Sequence, residues 1–164
     1  MPTQITIKPM QTAPEIEGKA QVHYQSWQET YKDLMDPTYL ANITPEKCLA
    51  MAKRFPDNTL IAKDGYRVVG FCGYGQSRDE DAQNCGEIFG IYLLEEYQKQ
   101  GIGYALMNAA MECLKTYPAV SLWVLRGNDR AIPFYLRYGF RFDGTEKQVN
   151  LGTPATELRM TLTR

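Results

Sequence analysis

Histidine occurs once in 164 residues, at position 23. That scarcity argues against a zinc site and against Ser–His or Cys–His nucleophilic machinery, so no metal is expected. Cysteine is almost as sparse. Cys48, Cys72, Cys85 and Cys113 form no Cys-x-x-Cys pair and no disulfide-like spacing, and read as reduced thiols. An excess of one charge is missing too. The 18 Lys and Arg against 19 Asp and Glu leave a net charge of −1, so bulk electrostatics implies neither a nucleic-acid partner nor an anionic membrane. No apolar run reaches the roughly 18 residues of a membrane span, and the amino-terminal residues carry no signal-peptide apolar region. The expectation is a cytoplasmic protein. No repeat, low-complexity tract or linker interrupts the chain, which reads as one domain over residues 1–164, with an ordinary 44% hydrophobic and 23% charged composition.

What the sequence does have is concentrated in Glu87–Leu114. An apolar run from Ile88 to Leu94 reads as a strand, and a polar turn, Glu95–Gln100, follows it. Gly101-Ile102-Gly103 then opens a stretch of helical period carrying Ile102, Leu106, Ala109, Ala110, Cys113 and Leu114. Strand, glycine turn and helix in this order make an anion site. The first amides of a helix lack internal partners, the macrodipole adds partial positive charge, and glycine lets a phosphate approach. The same glycines also fit plain packing at a helix start.

Around this stretch, Gln4–Met10 alternates as a first strand. Thr12, with Glu15 three residues on, caps a helix whose stripe is Ile16, Ala20, Tyr24, Trp27 and Tyr31. Asp36–Ile43 reads as looser chain, and Thr44-Pro45 starts a second helix running to about Arg54. Thr59–Lys63 and Arg67–Gln76 flank a hairpin turn at Asp64-Gly65. Ser77–Asn84 reads as a solvated loop. Val120–Leu125 is a β-rich run, Asn128 caps a short helix to Tyr138 closed by Gly139, and two final strands, Phe140–Val149 and Ala155–Thr163, pair antiparallel. The order β-α-α-β-β-β-α-β-α-β-β fits a mixed α/β (α+β) domain. The exposed final strands are consistent with a homodimer.

Two blocks carry a resemblance. Gln98-x-x-Gly101-x-Gly103 after an apolar strand resembles the pyrophosphate loop of the GCN5-related N-acetyltransferase (GNAT) family. Asn128-x-x-Ala131-x-x-Phe134-Tyr135-x-x-x-Gly139-Phe140 resembles its other signature. The resemblance covers residues 85–142 well, and the remainder by element order. It implies a mostly antiparallel sheet of about seven strands, the central pair splayed, flanked by about four helices. It also implies acetyl-CoA as cosubstrate and a primary amine as acceptor, whether a small molecule, a polyamine, an amino acid or a peptide. The backbone of Lys99 to Tyr104, including Gln100 and Ile102, would hold the pyrophosphate, with Gln98 in place of the commoner Arg. Ile91, Tyr92 and Leu93 would pair with the pantetheine arm, and Asn128 would also contact the cofactor. Tyr135 would protonate the leaving thiolate, contacting the cofactor as it does so. Glu87, eleven residues before Gln98, matches the glutamate that serves as base through water in histone-acetylating relatives. Trp27 and Tyr31 would line the acceptor pocket.

Two other readings start from the same glycines and fold. One is a non-catalytic acyl-CoA sensor or interaction module of the same fold. The other, a dinucleotide-binding oxidoreductase, fails on pattern, because position 106 is Leu where a third glycine belongs.

Overall fold

The computed structural model describes residues 4–164. Seven strands form one sheet: β1 (Ile5–Pro9), β2 (Thr59–Asp64), β3 (Arg67–Gln76), β4 (Gly86–Leu93), β5 (Ala119–Leu125), β6 (Arg141–Asn150) and β7 (Pro154–Thr163). Their spatial order is β1-β2-β3-β4-β5-β7-β6. Each neighbouring pair is antiparallel except β4–β5, which is parallel. Five α-helices flank the sheet where about four are expected: α1 (Ala13–Tyr31), α2 (Pro37–Ala41), α3 (Pro45–Arg54), α4 (Ile102–Cys113) and α5 (Ala131–Tyr138). The additional one is α2, which forms within the looser segment. Asp36 Oδ1 accepts from the amides of Thr38 and Tyr39, and Pro37 supplies the first turn. No helix among the described residues is long and apolar enough to cross a membrane.

The Thr12 cap forms as a full capping box. Thr12 Oγ1 accepts from the Glu15 amide and Glu15 Oε1 accepts from the Thr12 amide. Lys8 and Lys63 also reach the Glu15 carboxylate, at 2.6 and 3.1 Å, which ties the start of α1 to β1 and β2. The expected stripe of α1 divides between two neighbours. Ala20 packs with Cys48 and Ala52 of α3, whereas Trp27 and Tyr31 join Met35, Leu40 and Leu125. The buried side chains Lys19, Val22, His23 and Ser26 form a second stripe, three of its four members polar. His23 meets the Phe71 ring of β3 at 6.0 Å. Adjacent strand residues point to opposite faces. A Cβ on Gly70 would meet Leu106 of α4, so α4 covers the face opposite to α1.

Burial, and then nearby Lys19, pushes the His23 imidazole down to about 4 from 6.5. The unfolded chain therefore binds more protons between those two values. Stability is fully present above about pH 6.5 and falls as pH drops towards 4. Thermal unfolding followed from pH 7 to pH 4 should show a loss on the order of 2 kcal/mol in this window, flattened in His23→Phe.

The loop after β3 is not simply solvated. Ser77 and Ala82 are buried, and a single 3₁₀ turn forms at Glu80–Ala82. Arg159 of β7, itself buried, binds Asp79, Asp81 and Asp143, and Trp123 Nε1 donates to Asp79 at 3.0 Å. A buried guanidinium demands carboxylate partners, and this loop supplies two of the three. The result fixes the position of Arg78.

Candidate active site

The sheet is open at its middle. β4 and β5 pair only at Gly86–Val120, Glu87–Ser121 and Ile88–Leu122. Both strands then continue, to Leu93 and Leu125, without pairing to each other. On its other side β4 stays paired with β3, but the register shifts between Gly73 and Tyr74 because Phe89 is an extra residue. Such a bulge bends its strand. Gly90 beside it makes room for the Tyr92 ring, which lies 2.8 Å from where a Cβ would stand. The Leu94 amide donates to Val69, so alternation turns the backbone groups of Ile91 and Leu93 toward the split. The split opens a cleft of about 1150 Å³.

One end of the cleft meets the tip of α4. Helices α1, α2 and α3 each have a side-chain cap, from Thr12, Asp36 and Thr44. Helix α4 has none: its cap position is Gly101, in the left-handed region at φ +83. Its first amides are left for a ligand. Lys99 also adopts positive φ, at 63, a costly conformation for a side chain that lines the cleft. Gln98 Nε2 donates to the Leu93 carbonyl at 3.1 Å, so this side chain shapes the loop. Gly101, Gly103 and Tyr104 line the cleft, joined by Arg130, just before α5, and Arg137 within it. The side chains of Gln100 and Ile102 do not. Gln100 donates back to the Glu96 carbonyl and Ile102 is buried in the core.

Aromatic hydroxyls gather beyond that tip. Tyr31 and Tyr92 share a hydrogen bond of 2.9 Å, and Trp27 stands edge-on to Tyr31. Trp27 Nε1 is buried with no hydrogen-bond partner among the described residues. Tyr135 lines the cleft from α5, and burial, then Tyr31 and Cys72 nearby, pushes its phenol well above the usual tyrosine range. It is held as the neutral acid. Asn128 Oδ1 accepts from the Ala131 amide at 3.2 Å, capping α5 as expected.

Glu87 stands apart from the cleft. As a base acting through water it would have to face the cleft, yet it is 1% exposed and stands behind the wall. Its Oε1 accepts from the Arg78 amide and its Oε2 from Arg78 Nη2 at 2.7 Å. The strand position is right, but the carboxylate is spent on the loop that Arg159 pins.

A family model described as the acetyltransferase (GNAT) family matches residues 20–140. The chain belongs to the GNAT acetyltransferase family. The uncharacterized N-acetyltransferase YuaI of Bacillus subtilis is 32% identical over 161 residues, covering 90% of this chain and 92% of its own. A probable N-acetyltransferase of Mycobacterium tuberculosis is 28% identical over 134 residues, 76% of this chain and 74% of its own. The crystal structure of the PaiA N-acetyltransferase from Thermoplasma acidophilum, in complex with coenzyme A, aligns with a TM-score of 0.77 at 23% identity. That alignment covers 98% of this chain and 99% of that one, and shows the shared fold.

In this GNAT chain, Ile91, Tyr92, Leu93, Gln98, Lys99, Gly101, Gly103, Tyr104, Asn128, Tyr135, Trp27 and Tyr31 all come to one cleft. Sequence reasoning missed Arg78, Phe89, Trp123, Lys147 and Glu157, which wall its other end. Phe89 had a signal, as the residue two beyond Glu87 in the central strand. Lys147 and Glu157 had none, because only the β6–β7 register sets them opposite each other.

Proposed function

We propose that this protein transfers an acetyl group from acetyl-CoA to a primary amine by direct attack. The observation that carries the reading is the split between β4 and β5 that runs into an uncapped helix tip. In this reading the amides at Gly101–Tyr104 hold the pyrophosphate, with Lys99 supplying the charge that Gln98 lacks. The backbone groups of Ile91 and the amide of Leu93, whose carbonyl is held by Gln98, pair with the pantetheine amides as an added strand would. An amide of that edge also faces the thioester oxygen as charge develops on it. The amine nitrogen attacks the carbonyl carbon, a C–N bond forms and the C–S bond breaks. Tyr135 gives its proton to the departing thiolate, the nitrogen releases one to water, and water returns a proton to the Tyr135 phenolate. Trp27 and Tyr31 wall the acceptor side.

A second reading, an acyl-CoA sensor without turnover, gains from one observation: the expected base, Glu87, is occupied by Arg78. Thiol release from acetyl-CoA over a panel of primary amines separates the two. Release with at least one amine is expected. Calorimetric uptake of acetyl-CoA without release from any amine would favour the sensor. No uptake at millimolar acetyl-CoA would end both.

A further inference from the structure

The end of the cleft away from the α4 tip has its own chemistry. Ile88–Leu122 is the last pair before the strands part, so Phe89 and Trp123 are the first residues past it, one on each strand. Each carries a cation on its ring. The Arg78 guanidinium lies 4.5 Å from the Phe89 centroid, and Lys147 Nζ lies 4.1 Å from the Trp123 centroid. The indole edge donates to Asp79, the residue next to Arg78, which brings both cations to the same corner. Arg78 spends its backbone amide and Nη2 on Glu87 and is 66% exposed, with the rest of its fork turned outward. Lys147 is 44% exposed and only 3.9 Å from its nearest partner oxygen, on Glu157. Glu157 is the carboxylate lining this end, because Glu87 is sealed behind Arg78 and Asp79 is held by Arg159 and Trp123.

We propose that Arg78, Lys147 and Glu157 select a zwitterionic acceptor, an amine that bears a carboxylate close to the nitrogen that is acetylated. This deepens the acetyl-transfer reading and rests on it. Arg78 offers a planar fork and Lys147 a point charge for the carboxylate. Glu157 meets the ammonium form before the nitrogen loses its proton. Trp27, with its unpartnered Nε1, and Tyr31 complete an aromatic wall for the acceptor's body. A diamine would set its second positive charge against two cations, a like-charge contact that costs several-fold to hundreds-fold in affinity. An uncharged amine would leave both cations unused. The acidic residues of the loop, Asp79 and Asp81, do not reverse this balance, since both are drawn to Arg159 and Asp81 does not line the cleft.

The test compares acceptors of one skeleton. The kcat/KM for thiol release is measured with phenylalanine, methionine and glutamate, each beside its carboxamide and its decarboxylated amine, and with 1,4-diaminobutane. At least one amino acid should exceed its own amide and amine by about 10- to 100-fold, the range for losing charge-assisted hydrogen bonds. Lys147→Gln should remove about tenfold of that preference, and Lys147→Glu should move it toward the diamine. Arg78→Gln should act in the same direction, but it strips a buried carboxylate of its partner and can fail to fold, so the exposed Lys147 carries the decision. Equal use of acid and amide, preference for the diamine by the unaltered protein, or a preference unmoved by both Lys147 variants overturns the proposal while acetyl transfer stands. No thiol release from any acceptor removes both readings.

Discussion

Replacing Tyr135 with phenylalanine should lower turnover by about 10²–10⁴-fold and leave acetyl-CoA affinity within about twofold. The loss is one oxygen atom. The ring keeps its packing against Phe134, at 5.6 Å, and Phe140, at 6.1 Å, so neither α5 nor the Asn128 cap has cause to move. What disappears is the hydroxyl proposed as the acid for the leaving thiolate. Burial raises the Tyr135 phenol, and at first sight this makes it a worse donor. The same desolvation raises a thiol too, as the sealed Cys72 shows by its direction. A thiolate born in the cleft is therefore more basic than one in water, so burial raises donor and acceptor together and does not by itself disfavour the transfer. The expected range corresponds to about 3–5.5 kcal/mol in the barrier. Turnover at saturating acetyl-CoA and acceptor, set beside calorimetric affinity for acetyl-CoA, checks both halves. An unaltered kcat would strip Tyr135 of its role, and a large loss of affinity would make it a binding residue instead.

The parts of this architecture that could be read in the sequence are those where a local rule and the tertiary context agree. Thr12 and Glu15 form a capping box whatever surrounds them, and Thr44-Pro45 starts a helix in the same way. The strand, glycine turn and helix of 88–114 are legible for that reason, and with them the cleft residues from Ile91 to Tyr104. Three features were hidden by side chains whose partners are remote. The sheet-facing stripe of α1 is Lys19, Val22, His23 and Ser26, and polar residues there read as a solvent face until the sheet is placed over them. The loop at 77–84 looks soluble in isolation, yet its aspartates answer a guanidinium 80 and 78 residues away. Glu87 stands where a base is expected, but Arg78, placed by that loop, reaches it first. Long-range charge pairing leaves no local pattern, and in this chain it sets the Arg78 end of the cleft.

The second large effect should come from Gly103→Asp, which should weaken acetyl-CoA binding by at least about 100-fold without destabilising the fold. Gly103 lies in the first turn of α4 and lines the cleft. A Cβ there would meet the Phe134 ring at 3.5 Å, an ordinary contact, so the backbone can stay where it is. A carboxylate in the first turn suits the helix, whose macrodipole is stabilised by negative charge at that end by about 0.3–1 kcal/mol. The same carboxylate occupies the region proposed for the pyrophosphate and meets it as a like charge. Fold stability and ligand affinity are thereby driven in opposite directions by one substitution. A helix with glycines placed only for packing predicts a different pair of outcomes: affinity nearly unchanged and stability altered by the new side chain. Isothermal calorimetry with acetyl-CoA, beside a denaturant titration of the free protein, reads the two quantities separately. Affinity retained within a few-fold would show that the phosphates lie elsewhere, and the reading of the α4 tip would fall with it.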